Sequence, residues 1–252
     1  MSEDSLRGRV VLVTGSARGL GSAIARAAGA EQARVVVNGR QDARAIEAVA
    51  AEVERAGGEA LGVRADVRVF EEARELVERA LVRWGRIDVL VNTVGDFHWH
   101  PLVELEPAEW RGLIASNLDS VFHMCRLVIP HMRERRFGRI VNFAAVGSVA
   151  SRGEPQMAAY CAAKAGVVAL SRSLALEEAR AGITVNVVSP GLLRDEPAAA
   201  SAPSSERALG QRVPVGHAGS AADVVRVVLF FASPTAEFVT GQVVEVAGGA
   251  RI

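Results

Sequence analysis

Short β-branched runs alternate with longer stretches of helical periodicity along most of the chain. Residues 9–14 (RVVLVT), 33–38 (ARVVVN), 87–92 (IDVLVN), 139–144 (RIVNFA) and 183–189 (ITVNVVS) are apolar runs of strand length. Near-continuous apolarity, rather than strict alternation, predicts strands buried on both faces. Residues 59–66 (EALGVRAD) read as a weaker third strand and 242–249 (QVVEVAGG) as a seventh. Between them lie the helices. One follows the first strand, to about residue 33. Residues 42–56 alternate apolar and charged positions at helical spacing, and Gly57–Gly58 stops them. Residues 71–84 form an amphipathic helix ended by Gly85. A helix starts at Pro107, which suits a first turn, and runs towards Arg136, with Pro130 expected to kink it or end it early. Residues 157–181 give a long helix closed by Gly182, and 220–232 another with Ser220 as N-cap.

Strand–helix alternation with right-handed crossovers predicts an α/β fold, a doubly wound parallel sheet. No linker or internal repeat interrupts it, so residues 1–252 read as one domain. The polar, aperiodic stretch 192–212 reads as a lid rather than a boundary, since strands continue beyond it. Lys plus Arg and Asp plus Glu both number 29, so the chain has no net charge. That argues against nucleic acid or an anionic membrane as a partner. Cys125 and Cys161 make no disulfide framework and no metal-ligand spacing, and the histidines form no metal cluster. The uncharged run 140–151 is too short to span a bilayer. The polar start MSEDSLRGR predicts no signal peptide and a reducing, cytoplasmic setting.

TGSARGLG (14–21) ends the first strand and opens the first helix, the context in which a Gly-rich turn binds a phosphate-bearing ligand. Gly15 permits an unusual backbone angle, and Gly19 and Gly21 allow close approach of backbone to a pyrophosphate. The second strand ends Asn38–Gly39–Arg40, with no acid to take ribose hydroxyls. Arg18 and Arg40 instead offer two guanidiniums to a ribose 2′-phosphate, which favours NADPH/NADP⁺ over NADH. At the other end stands the only tyrosine, Tyr160, with Lys164 one helical turn on. An ammonium beside a phenol favours the phenolate and makes it a usable acid/base near neutral pH.

With TGSARGLG, NTVG (92–95), YCAAK (160–164) and Pro190–Gly191 together, the chain resembles the short-chain dehydrogenase/reductase family from about residue 9 to 249. The likeness is to its 3-oxoacyl-carrier-protein-reductase-like members. It implies a single Rossmann-type domain with a seven-stranded parallel sheet, a nicotinamide cofactor and hydride transfer to or from a carbonyl. Residue by residue, it implies that Thr14, Gly15, Arg18, Gly19, Leu20 and Gly21 form the cofactor turn. Asp66 and Val67 match the adenine pair, Asn92 and Gly95 the fourth-strand motif, and Pro190 and Gly191 the nicotinamide-side turn. Asn117 matches the proton-relay residue, Tyr160 the acid/base, and Lys164 the residue that holds the ribose and lowers the tyrosine pKa.

The chain departs from the pattern in three places. NTVG replaces NNAG, and no Thr follows the Pro–Gly turn in PGLLRDEP. The position of the family's catalytic serine, just after the fifth strand, falls on Ala145. Ser148, twelve residues before Tyr160, is the candidate replacement, and Ser151 a poorer one. On the substrate side, His98, Trp99 and His100 offer an aromatic wall, with Glu154 and Met157 near it. The expectation is a cytoplasmic NADPH-dependent carbonyl reductase of a small-molecule ketone. A pteridine-type C=N reductase and a cofactor-binding scaffold with weak chemistry are the alternatives. Resemblance further implies a homotetramer or homodimer.

Overall fold

A computed structural model describes residues 5–194 and 213–250. The seven expected strands form one all-parallel sheet in the order β3-β2-β1-β4-β5-β6-β7. They are β1 (Val10–Thr14), β2 (Arg34–Gly39), β3 (Glu59–Arg64), β4 (Val89–Asn92), β5 (Gly138–Phe143), β6 (Ile183–Pro190) and β7 (Val243–Val246). The helices are α1 (Gly19–Ala30), α2 (Ala43–Arg55), α3 (Phe70–Trp84), α4 (Pro107–Ile114), α5 (Ser120–Arg135), α6 (Ala158–Glu178) and α7 (Ala221–Ala232).

Strand pleating divides the core in two. Val11 and Val13 of β1 face Ile24 and Ala28 of α1, Val49 and Val53 of α2 and Val228 of α7. Val10 and Leu12 face the opposite layer, with Leu76 of α3, Val128 of α5 and Val167 of α6. Both faces of each central strand are therefore apolar, as a helix-covered parallel sheet requires. Sheet order reverses between β1 and β4, which opens a crevice at the carboxyl ends of the strands. Local chemistry sets the element ends. The Asp42 side chain caps α2 by accepting from Ala45 N at 3.0 Å. Glu106 and Glu109 form a capping box at α4. Gly85 and Gly182 stop their helices in left-handed backbone.

Pro130 does not end its helix: α5 continues through it to Arg135. The interruption lies earlier, in a π-helical turn at Ala115–Asp119 between α4 and α5. Of the stretch read as a lid, residues 195–212 lie outside the described residues. Leu193 is buried and bridges to Gly219. Among the described residues, no helix is long and apolar enough to cross a membrane.

Candidate active site

The nucleotide end is shaped by backbone. Gly15 and Gly19 take positive φ, 63° and 56°. A Cβ on Gly15 would lie 2.9 Å from Val94 Cγ2, and one on Gly21 would lie 2.7 Å from both Gly15 O and Thr93 Oγ1. Around Gly19 nothing lies within 4 Å, so the turn opens there. The buried Asn38 side chain holds the turn from below. Its Oδ1 accepts from Gly15 N (3.2 Å), and its Nδ2 donates to Val63 O (3.2 Å) and Ala65 O (3.0 Å). At the next position, a Cβ on Gly39 would meet Ala17 Cβ at 2.9 Å and Ile46 Cγ1 at 3.0 Å, so the fold leaves no room for a carboxylate. Arg18 and Arg40 are exposed beside the turn, and neither guanidinium is hydrogen bonded to another described residue. Leu20 packs against the core. An open, glycine-lined cradle at a helix N-terminus flanked by two exposed arginines fits a dinucleotide.

Asp66 and Val67 follow β3. Burial raises the Asp66 carboxyl, but its hydrogen bonds from Arg68 outweigh that and hold it below the usual range. Arg68 Nη2 approaches it to 2.6 Å, and Arg68 Nη1 lies 3.8 Å from Asp96. Val67 is buried, and its carbonyl accepts from His123 Nδ1 at 3.0 Å. On the far side, Gly191 N donates to Val246 O at 2.9 Å, and a Cβ there would strike Ala247 Cα. The Pro190–Gly191 turn is thereby fixed to the end of β7.

Beneath the crevice runs a polar ladder. Asn92 Nδ2 donates to Asn142 Oδ1 (2.8 Å), Asn142 Nδ2 to Ser171 Oγ (2.9 Å), and Ser171 Oγ to Val167 O (2.7 Å). It ties the ends of β4 and β5 to α6. Cys125 sits against it, and burial pushes its thiol up to about 12, so it is inert packing.

The π-helical turn carries Asn117 into this region, fully buried. Its Nδ2 donates to Asp96 O (2.8 Å) and Leu113 O (3.0 Å). Its Oδ1 is buried without a partner among the described residues. A Cβ on Gly95 would lie 2.4 Å from that Oδ1 and 3.3 Å from Lys164 Nζ, so the glycine keeps open the space between them. Lys164 is the only lysine of the chain. It is buried, donates to Phe143 O at 3.0 Å, and lies 5.6 Å from the centroid of the Tyr160 ring. Burial lowers it to about 8. An unpartnered amide oxygen and a desolvated ammonium beside a glycine-cleared space, with a phenol ring near that ammonium, are groups that can carry out proton transfer.

The remaining predicted residues divide. Ser148 is buried, and its Oγ accepts from Ala145 N at 3.2 Å, so its hydroxyl is folded against the position left by the missing serine. Ser151 is exposed. His98, His100 and Met157 line a narrow cleft with Tyr160, closed by Leu102, Leu105 and Leu113. Trp99 is half exposed and packs on Phe97, which in turn packs on Tyr160. Glu154 is exposed. Sequence reasoning nominates the loop 96–100 and quotes Asn38 at the strand end without assigning a role to Asp96, Phe97 or Asn38, and it misses Glu245, whose Oε1 accepts from Gly147 N at 2.9 Å and anchors the loop after β5. Spacing gives no signal for such pairs, since the partners are far apart in the chain.

A family model described as enoyl-(acyl carrier protein) reductase matches residues 15–251. The chain belongs to the short-chain dehydrogenase/reductase family. It is an NAD(P)-dependent oxidoreductase of that family. It is 37% identical over 244 residues to the 3-oxoacyl-[acyl-carrier-protein] reductase FabG of Haemophilus influenzae, covering 97% of this chain and 98% of that one. It is equally similar, 37% over 249 residues, to 3beta-hydroxysteroid dehydrogenase 1 of Eggerthella lenta, covering 98% and 95%. Among solved structures, a putative gluconate dehydrogenase from Agrobacterium tumefaciens superposes with a TM-score of 0.92 at 32% identity, over 99% of this chain and 98% of that one. Family membership supports a carbonyl reductase, while the different substrates in these names leave the substrate to the cleft.

Proposed function

We propose that the protein is an NADPH-dependent reductase of a ketone, of 3-oxoacyl type, in which Tyr160 protonates the carbonyl oxygen. One observation carries the reading: the buried Lys164 ammonium and the unpartnered Asn117 Oδ1 border the space that Gly95 leaves clear, and the same ammonium lies 5.6 Å from the centroid of the Tyr160 ring.

When bound, the nicotinamide cofactor supplies the hydride for the carbonyl carbon. The chain's own residues do the rest. The turn of Thr14, Gly15, Gly19, Leu20 and Gly21 holds the diphosphate at the N-terminus of α1. Arg18 and Arg40 pair with a ribose 2′-phosphate, where Gly39 excludes the acid that would repel it. Asp66 and Val67 border the adenine, Asn92 and Gly95 the adjoining crevice, and Pro190 and Gly191 the nicotinamide side. Lys164 holds the ribose and, as an ammonium, favours the phenolate left after proton transfer. Asn117 Oδ1 accepts from the water that returns the proton. The Ser148 hydroxyl polarises the carbonyl in place of the serine absent at Ala145, while His98 and Met157 flank the substrate.

The test is ketone-dependent oxidation of NADPH by wild type and Tyr160→Phe. Loss of a positioned proton donor lowers kcat on the order of 10²–10⁴-fold, with NADPH binding, measured by fluorescence titration, unchanged. Turnover that survives in Tyr160→Phe sinks the reading. A wild type that binds NADPH but reduces no ketone in a panel that includes a 3-oxoacyl thioester is a cofactor-binding scaffold instead.

A further inference from the structure

Three aromatic rings form a continuous stack that ends on the proposed proton donor. The Phe97 ring meets the Tyr160 ring edge to face, with centroids 5.0 Å apart and planes at 90°. Trp99 meets Phe97 in the same way, at 5.2 Å and 88°. This is the favoured geometry for aromatic pairs, because the positive edge of one ring faces the negative face of the other. Lys164 Nζ approaches the same phenol ring at 5.6 Å. The phenol is thus held by an ammonium and an aromatic ring from different elements.

The segment that bears the stack is pinned at both ends. At Asp96, the backbone N–H donates to Ser116 Oγ (3.2 Å), and the carbonyl accepts from Asn117 Nδ2 (2.8 Å). At His100, the backbone N–H donates to Gln156 O (2.8 Å), and Nδ1 lies 3.5 Å from Glu109 Oε2. Residues 96–100 are therefore a tethered bracket. One of its tethers is the same Asn117 whose Oδ1 faces the Gly95 space.

We propose that Phe97 is a positioning residue: held by this bracket and backed by Trp99, its ring fixes the Tyr160 phenol where Lys164 and the substrate carbonyl both reach it. The inference rests on Tyr160 as the proton donor. Without the ring, the phenol loses one of the contacts that set its place beside Lys164. Proton transfer then slows, and the phenolate loses its cation.

Tyr160 is the only tyrosine, so its titration can be followed by difference absorbance without assignment. Phe97→Leu, of similar bulk but without a ring, is expected to lower kcat about tenfold, the rate equivalent of one aromatic contact. It should leave the KM for NADPH unchanged and move the Tyr160 titration midpoint upward. Phe97→Trp restores the ring and should recover both readouts. Trp99→Ala, at a half-exposed position, should move both in the same direction by about threefold in kcat. The proposal is overturned if Phe97→Leu keeps wild-type kcat and midpoint, or if Phe97→Leu and Phe97→Trp lose equally. Should Phe97→Leu fail to fold, an unaltered Trp99→Ala overturns it. Full turnover in Tyr160→Phe defeats the parent reading, whereas an inactive Tyr160→Phe beside an unaffected Phe97→Leu defeats this one alone.

Discussion

The turn after β1 and the loop after β5 both use left-handed backbone, but they obtain it differently. At the nucleotide end, the positive φ angles fall on Gly15 and Gly19, where they carry no steric penalty. At the catalytic end, Gly147 takes one, but Ser151 (φ 51°) and Gln156 (φ 64°) take two more. A left-handed non-glycine residue costs roughly 1–2 kcal/mol. The loop is held nonetheless, by Glu245 on Gly147 N, by Ser148 on Ala145 N and by the His100 N–H on Gln156 O. One end is a shape written into glycines. The other is a strained conformation kept in place by one distant side chain, one side chain of its own and one backbone bond from another loop, so it is where substitutions should act on rate rather than on cofactor affinity.

The sharpest way to test that division is Ser148→Ala. Removing a hydrogen-bond donor to the reacting oxygen costs on the order of 10²–10³ in kcat, and the nucleotide end should keep its NADPH affinity. The same change also removes the acceptor for Ala145 N, which lowers stability by about 1 kcal/mol. Steady-state kinetics beside urea unfolding separate the two effects. A kcat within about twofold of wild type, far short of one donor's worth, would reduce Ser148 to a loop fastener.

Lys164→Met is expected to trade function for stability. Lys164 is held at about 8 in the folded chain, against an ordinary value of 10.5. Below about pH 8 the group is protonated in both folded and unfolded chains, so the folded state carries the full penalty of the buried charge. Between 8 and 10.5 the unfolded chain binds more protons, so stability rises with pH, and above 10.5 the penalty is gone. The shift corresponds to about 3 kcal/mol, less about 1 kcal/mol for the lost bond to Phe143 O. The variant should therefore be the more stable chain at pH 7 by about 2 kcal/mol, lose that advantage as pH rises from 8 to 10.5, end about 1 kcal/mol less stable than wild type above it, and reduce no substrate. Equal pH slopes in the two unfolding series would show that the buried ammonium is not strained.

The same division governs what the sequence reveals. The five inner strands are legible because β-branched runs buried on both faces leave no other pattern, the edge strands β3 and β7 are weaker because they are only partly buried, and the Gly-rich turn is legible because glycine is the residue it needs. The i and i+4 spacing of Tyr160 and Lys164 is local, and the helix delivers it. The early end at Pro130 does not occur because a single proline is judged against an isolated helix, whereas α5 is packed along its length, with Val128, Ile129 and Met132 buried around the proline. The π-helical turn that seats Asn117 adds one residue to a turn and leaves no mark in the apolar pattern. Phe97 on Tyr160 and Glu245 on Gly147 join residues 63 and 98 positions apart, which only the folded sheet brings together. The serine count lands on Ala145 and nominates Ser148, but the fold is needed to place the Ser148 hydroxyl against Ala145 N.

The smallest effects should come from the nucleotide end, and two glycines there separate shape from ligand contact. Gly21→Ala puts a Cβ 2.7 Å from Gly15 O and 3.0 Å from Ser16 Cα, backbone atoms that no rotamer change can move. The turn must open, at a cost of about 1–3 kcal/mol even without cofactor. A chain of this size then melts about 2–4 °C lower per kcal/mol. Gly19→Ala meets nothing within 4 Å and pays only for its positive φ, about 1–2 kcal/mol. If the open side of Gly19 receives the diphosphate, the added methyl should weaken NADPH by more than that backbone term, while Gly21→Ala should lose stability and affinity in step. In both variants kcat at saturating NADPH should match wild type, because the residues proposed to move the proton sit on α6 and the π-helical turn. Thermal unfolding with and without NADPH, alongside kcat, reads all three quantities. A fall in kcat from either glycine would show that the strained catalytic loop depends on the shape of the turn, and that the two ends are one structure.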